Sequence, residues 1–273
     1  MSAGVEAVLA SGIAVASPDR VVVRGHDLAR DVIGHMGFTE YFLLLLLGRR
    51  PSQSMVRIVD ATLVAIAEHG MVPSIQAARM TLAAAPNALQ GAVAAGLLGC
   101  GEVVLGAAAS AGEFLMEIAA DVGESANLSG SVVGRLAKLR QARRPLPGFG
   151  HPLHKPEDPR AWRLLDYAAE IGVASSYVGI LREIHRQLVP AYGRKLPLNV
   201  SGGIAAVLLD VGFPPEALKG IPLIARAGGL VAHLFEEQKR PIGLRLADVG
   251  AAAVIFDGEQ PEDAAAITRA EGK

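Results

Sequence analysis

One cysteine, Cys100, occurs in 273 residues, which excludes an internal disulfide framework and a cysteine-rich zinc site and fits a reducing cytoplasm. Aromatic residues are scarce at 4%, although hydrophobic residues make up 51%. The excess is Ala, Leu, Val and Gly, which let helices approach closely and point to helix-on-helix packing. Neither charge sign is in surplus: 26 Lys+Arg against 27 Asp+Glu leave a net charge of -1. No global field draws the chain to nucleic acid or an anionic membrane, so any anion site must be local.

A basic segment leading into an apolar run is missing from the start, where Glu6 and Asp19 interrupt a mild sequence, so no signal peptide is expected. Long unbroken apolar runs are missing too. Tyr41 to Leu47 is far shorter than the roughly 20 residues a spanning helix needs, and reads as a buried helix. Leu82 to Gly112 carries Glu102 as its only charge, but Pro86, Asn87, Gln90 and several glycines break it up. The expectation is no membrane insertion. Alternating strand patterns are rare, with Val21-Val22-Val23 the one short strand foreseen.

Helical spacing is plentiful. Met55, Val56, Val59, Leu63 and Ile66 predict a helix from Ser52 to His69, stopped by Gly70. Asp158-Pro159 reads as an N-cap followed by the proline favoured at the first helical position, which puts Arg160 in a first turn. A final strong helix is predicted over about Ile221 to Lys239, ended by Pro241, with a solvated tail from Glu259.

Between Arg143 and Pro159 the sequence RRPLPGFGHPLHKPEDP is too rich in Pro and Gly for regular structure. It delivers His151, His154, Lys155 and Arg160 to a helix N-terminus, where backbone N–H groups and the dipole favour an anion and arginine offers a forked donor. On spacing alone an ordinary solvated basic loop fits equally well. Taken singly, His69 reads as a helix-end histidine and Arg240 as a basic helix C-terminus, while Lys155 fits an exposed lysine and His233 a satisfied core histidine as well as it fits a ligand.

Together these segments resemble something specific. GFGHPLHK over 148–155 followed by Asp158-Pro159-Arg160 is similar to the signature of the citrate synthase superfamily. Val23-Arg24-Gly25-His26-Asp27, Leu198-Asn199-Val200, GFPP over 212–215 and IARAGGLVAH over 224–233 match further family segments in order. The short length, NVSGGIAAVLLDVGFPP and HLFEEQKRP look more like citryl-CoA lyase and the corresponding module of ATP citrate lyase than like citrate synthase itself.

The resemblance implies an all-α, citrate synthase-like fold. A large helical domain over 1–105 and 203–273 would carry a smaller helical domain over 106–202. It implies a tricarboxylate held by His69, His151, Arg160, Arg226 and Arg240, with His151 catalytic and Lys155 on coenzyme A phosphate. It implies no separate cofactor, a coenzyme A thioester as substrate, and no metal. Arg226 and Arg240 lie fourteen residues apart, about 21 Å along a helix, so one small ligand cannot touch both. The family's answer is a homodimer in which the last arginine serves the neighbour's site, with interface helices drawn from Leu82 to Gly112.

Two positions depart from the family pattern. Its enolate-handling histidine falls on Val104 and its aspartate on Ser201. Glu102 reads as an exposed turn carboxylate, and nine helical residues put Asp210 about 13 Å from Ser201, a poor substitute. The implied function is therefore a citryl-CoA lyase-type cleavage of a 3-hydroxy-acyl-CoA to acetyl-CoA and a 2-oxo acid such as oxaloacetate. The alternative is a catalytically impaired paralogue that binds a polycarboxylate or acyl-CoA as a sensor or partner subunit.

Overall fold

The computed structural model describes residues 9–101 and 107–259, and the architecture is mostly helical, as the resemblance implies. Val104 and Glu102 lie outside the described residues, as does the tail after Glu259. Near the start, β1 (Ala14–Ala16), β2 (Val21–Val23) and β3 (His26–Asp27) form a small antiparallel sheet in that order. Only β2 was foreseen, because three and two residues are too few to show alternation.

Eleven α-helices follow among the described residues: α1 (Phe38–Leu47), α2 (Gln53–Ala67), α3 (Pro73–Ala84), α4 (Leu89–Leu98), α5 (Ala107–Ser125), α6 (Leu128–Gln141), α7 (Pro159–Glu170), α8 (Ser176–Gln187), α9 (Val200–Asp210), α10 (Gly220–Lys239) and α11 (Gly243–Ala252). Local chemistry sets their ends. Ser52 caps α2 by accepting from Met55 N, and Asp158 caps α7 by accepting from Arg160 N ahead of Pro159. α2 ends at Ala67, two residues before the expected His69, because Glu68 turns to extended backbone and its carboxylate accepts from His69 N and Gly70 N. The helix α11 was not foreseen.

α9 is the hub. All but its last residue are buried, and α5, α7 and α8 pack around it. Its start meets the 143–158 loop at two glycines: a Cβ on Gly202 would lie 2.7 Å from Gly148 O, and Gly148 itself has φ +78°. Only paired glycines allow this approach, which brings the histidine loop onto the first turn of α9. α10 packs against α2, α3 and α4. The stretch Pro215–Lys239 has the length and mean hydropathy, 1.2, of a spanning helix, and 44% of its most apolar window is buried within the fold. Leu82 to Gly112 is divided among α3, α4 and the start of α5.

A buried ion pair ties α3 to α10. Arg79 Nε donates to Glu237 at 2.7 Å, both side chains being 3% exposed, and Glu237 also accepts from Ile242 N and Gly243 N at the entry to α11.

Candidate functional site

His69 follows α2, His151 rides on the loop, Arg160 starts α7, Ser201 starts α9 and Arg226 lies inside α10. All five line one cavity of about 520 Å³ together with Asn199. Residues from five separate segments thus meet at one cavity, among them four of the five ligands that the resemblance implies: His69, His151, Arg160 and Arg226.

The two arginines differ in electrostatic state. Arg160 is clamped by Asp158, donating from Nε at 3.0 Å and Nη2 at 2.9 Å, while Asp158 is fully buried and also accepts from Val200 N. Burial alone would raise the Asp158 pKa, but the Arg160 guanidinium and the backbone N–H groups of Arg160 and Val200 outweigh it and hold the carboxyl below the ordinary range. Arg226 is 2% exposed, and its Nε and Nη1 have no hydrogen-bond partner among the described residues. Burial pushes its pKa down, with Glu68 opposing. An unpaired buried cation is costly to a fold and favourable to an incoming anion. Arg226 is therefore the cavity cation without a counter-ion at hydrogen-bond distance among the described residues, and Arg160 a held and partly neutralised one.

Asp158 thus caps α7, fixes Arg160 and binds the first N–H of α9. Asp158→Ala is expected to destabilise the protein by about 3 kcal/mol, toward the low end for breaking a buried pair because Arg160 keeps contact with water. Its folded pKa is depressed, so this contribution is present above the unfolded value near 4 and is lost as pH falls through the folded value. Urea unfolding should show the gap between wild type and variant closing only below about pH 4. A gap unchanged down to pH 2 would contradict the assignment.

The histidines carry the second feature. His151 Nδ1 accepts from Leu153 N at 3.1 Å and His154 N at 2.9 Å, so a neutral ring carries its proton on Nε2 and meets a ligand oxygen as a donor. Its pKa is lowered by burial and then by His154, Arg160 and His69, which favours that neutral form. His69 Nε2 lies 2.9 Å from His154 Nε2, a bond that two neutral imidazoles make when one donates and the other accepts. The His69 pKa is likewise lowered, by burial first and then by Arg160, His154 and Arg226.

One ring nitrogen from each of His69, His151 and His154 lies within 4.8 Å of the others, the spacing of a candidate metal site. The donor chemistry does not fit a metal ion. A ligating histidine offers one lone pair and donates its other ring N–H. His151 instead receives two N–H groups on Nδ1, which leaves the proton on Nε2 and no lone pair to offer.

Lys155 is exposed on the loop and does not line the cavity. Arg240 is exposed just after α10 and lies outside it as well, as the helix length requires. His233 bonds Glu68 at 2.9 Å and Arg79 at 3.3 Å, a satisfied histidine rather than a ligand. Asp210 accepts from Ser175 N, Tyr177 N and Val178 N and so holds the start of α8, away from Ser201. Sequence reasoning noticed His154 in the loop but gave it no role, and read Asp158 only as a cap. The missing signal for His154 is its pairing across 85 residues.

The citrate synthase C-terminal domain model matches residues 9–245. The chain belongs to the citrate synthase family. Citrate synthase 2 of Bacillus subtilis is 27% identical over 202 residues, which are 74% of this chain and 52% of that protein. The glyoxysomal citrate synthase of Cucurbita maxima is 30% identical over 226 residues, 76% of this chain and 41% of that one. The chain spans about half the length of the curated citrate synthases it matches first. Among solved structures it is similar to a citryl-CoA lyase from Hydrogenobacter thermophilus, with TM-score 0.81 and 30% identity, covering 95% of this chain and 98% of that one. An ATP citrate lyase from Methanothrix soehngenii, solved with citrate and coenzyme A, shares the citrate synthase-like fold at TM-score 0.76 and 20% identity, covering 94% of this chain and 42% of that one.

Proposed function

We propose that the protein is a citryl-CoA lyase-type enzyme, cleaving citryl-CoA or a related 3-hydroxy-acyl-CoA to acetyl-CoA and a 2-oxo acid such as oxaloacetate. The observation that carries this reading is the convergence of an unpaired, buried Arg226 guanidinium, Arg160 and two neutral histidines on one cavity. That set suits an oxygen-rich anion whose carboxylates are bound and whose hydroxyl is hydrogen-bonded. The likeness in length and fold to a citryl-CoA lyase supports it.

In this scheme Arg226 and Arg160 bind carboxylates, and His69 and His151 face the tertiary hydroxyl. His151 holds the hydroxyl oxygen from Nε2 as it becomes a carbonyl. The proposed division into 1–105 with 203–273 and 106–202 would put His69 and Arg226 on one side of the substrate and His151, Arg160 and Ser201 on the other. The coenzyme A phosphates find cations at Lys155 and at a second cavity of about 530 Å³, lined by Arg140, Arg143, Arg144 and Arg194. Pro145 lines that cavity and Gly150 the first, so one loop runs between them. Arg240, outside its own cavity, serves the site of a second copy in a homodimer.

His151→Ala is expected to lower acetyl-CoA formation from citryl-CoA by at least about 10²-fold, followed by mass spectrometry. An unchanged rate would overturn its role. One observation favours the second reading, a binding paralogue: no carboxylate lines the cavity among the described residues. Tight citrate binding without turnover of any acyl-CoA would establish it.

A further inference from the structure

The altered positions leave the proposed reaction without its usual proton carrier at carbon, and the imidazole pair at the cavity wall is placed to supply one. We infer that His154, acting through His69, relays the substrate's proton and takes over the acid–base work that a carboxylate at position 201 performs in the family pattern. This rests on the lyase reading.

Three features of the geometry point to it. His69 lines the cavity, while His154 does not and stands behind it, 2.9 Å away nitrogen to nitrogen. Nε2 of His69 is committed to His154, and Nδ1 has no hydrogen-bond partner among the described residues, which leaves one ring nitrogen of a cavity-lining histidine for a ligand hydroxyl. The third feature is charge. A proton kept on His69 would sit beside Arg160 and Arg226, the cations that act on it through space. Passing the Nε2 proton outward moves that charge away from the arginine wall to His154, which is half-buried and contacts water. The backbone N–H of His154 also donates to His151 Nδ1, so one residue sets the donor state of His151 and the acceptor state of His69.

The steps balance without another reagent. The hydroxyl proton moves to His69 Nδ1 as the Nε2 proton passes to His154 Nε2. The carbinol oxygen becomes a carbonyl, the bond from the carbinol carbon to the thioester methylene breaks, and its electron pair forms the acetyl-CoA enolate. The proton returns along the same pair to the methylene carbon, giving the methyl group of acetyl-CoA and restoring both rings.

The test compares His154→Gln and His154→Ala with wild type, using citryl-CoA kinetics and ring nitrogen-15 NMR of histidine-labelled protein. Glutamine keeps a hydrogen bond to His69 but cannot relay a proton, so the relay predicts that both variants lose at least about 10²-fold in kcat with KM changed less than about threefold. Wild-type kcat in His154→Gln would reduce His154 to an orienting group and overturn the relay. In the spectra, His69 and His154 should appear as one donor and one acceptor, and His69 should change on substitution of His154. Absence of that coupling overturns the relay whether or not citryl-CoA is cleaved. An intact pair in a wild type that cleaves nothing sinks the lyase reading instead, and the relay's role with it.

Discussion

Val104→His combined with Ser201→Asp is expected to raise citryl-CoA cleavage strongly. A positioned acid–base contributes about 10²–10⁴-fold and an oxyanion donor about 10²–10³-fold, so the ceiling is roughly 10⁴–10⁷. The observed gain falls below that ceiling to the extent that the histidine pair already moves the proton. Position 201 is the second residue of α9 and lines the cavity, so a carboxylate there faces the substrate and is favoured by the helix dipole. Either change alone should do less, because a donor to the enolate oxygen and a proton carrier at carbon serve one transition state. Steady-state acetyl-CoA formation is the measurement. A fast wild type made slower by the double change would show that these two positions do not handle the enolate.

Arg226→Met is expected to act in opposite directions with and without ligand. In the free protein it removes a buried guanidinium whose Nε and Nη1 have no partner among the described residues, and replaces it with an apolar chain of similar length. Replacing buried ionic groups by apolar ones of similar volume stabilises by about 1–4 kcal/mol, and the free variant should gain part of that range. Glu68 is not orphaned by the change, since it keeps His233 and the N–H groups of His69 and Gly70. With citrate or oxaloacetate the order reverses. Wild type should gain about 2.7 kcal/mol at a hundredfold excess over Kd, worth roughly 5–10 °C in Tm, and the variant should gain none. A variant less stable when free, yet stabilised equally by citrate, would remove Arg226 from the site.

How far the sequence could be read follows from how local each cause is. The start of α7 was legible because Asp158, Pro159 and Arg160 act within one turn. Arg240 was placed away from Arg226 on helix geometry alone, and its position outside the cavity agrees. The end of α2 was misplaced because the Glu68 carboxylate, not a spacing pattern, closes it. α11 was missed because its entry depends on Glu237, which accepts from Ile242 N and Gly243 N while buried against Arg79. The candidate site was readable as a set of residue types through family likeness. Its electrostatic division into a neutralised Arg160 and an unpaired Arg226 was not, since that depends on which carboxylate arrives through the fold. The His69–His154 bond was hidden for the same reason.

Cleavage of citryl-CoA in deuterium oxide tests the central claim most directly, with the products read by mass spectrometry at early times. Cleavage of the carbon–carbon bond generates an enolate that must be protonated at carbon. The account therefore predicts acetyl-CoA carrying one solvent deuterium in its methyl group, formed in equal amount with oxaloacetate and lost in His151→Ala. Citrate and free coenzyme A as products, or no product at all, would contradict it.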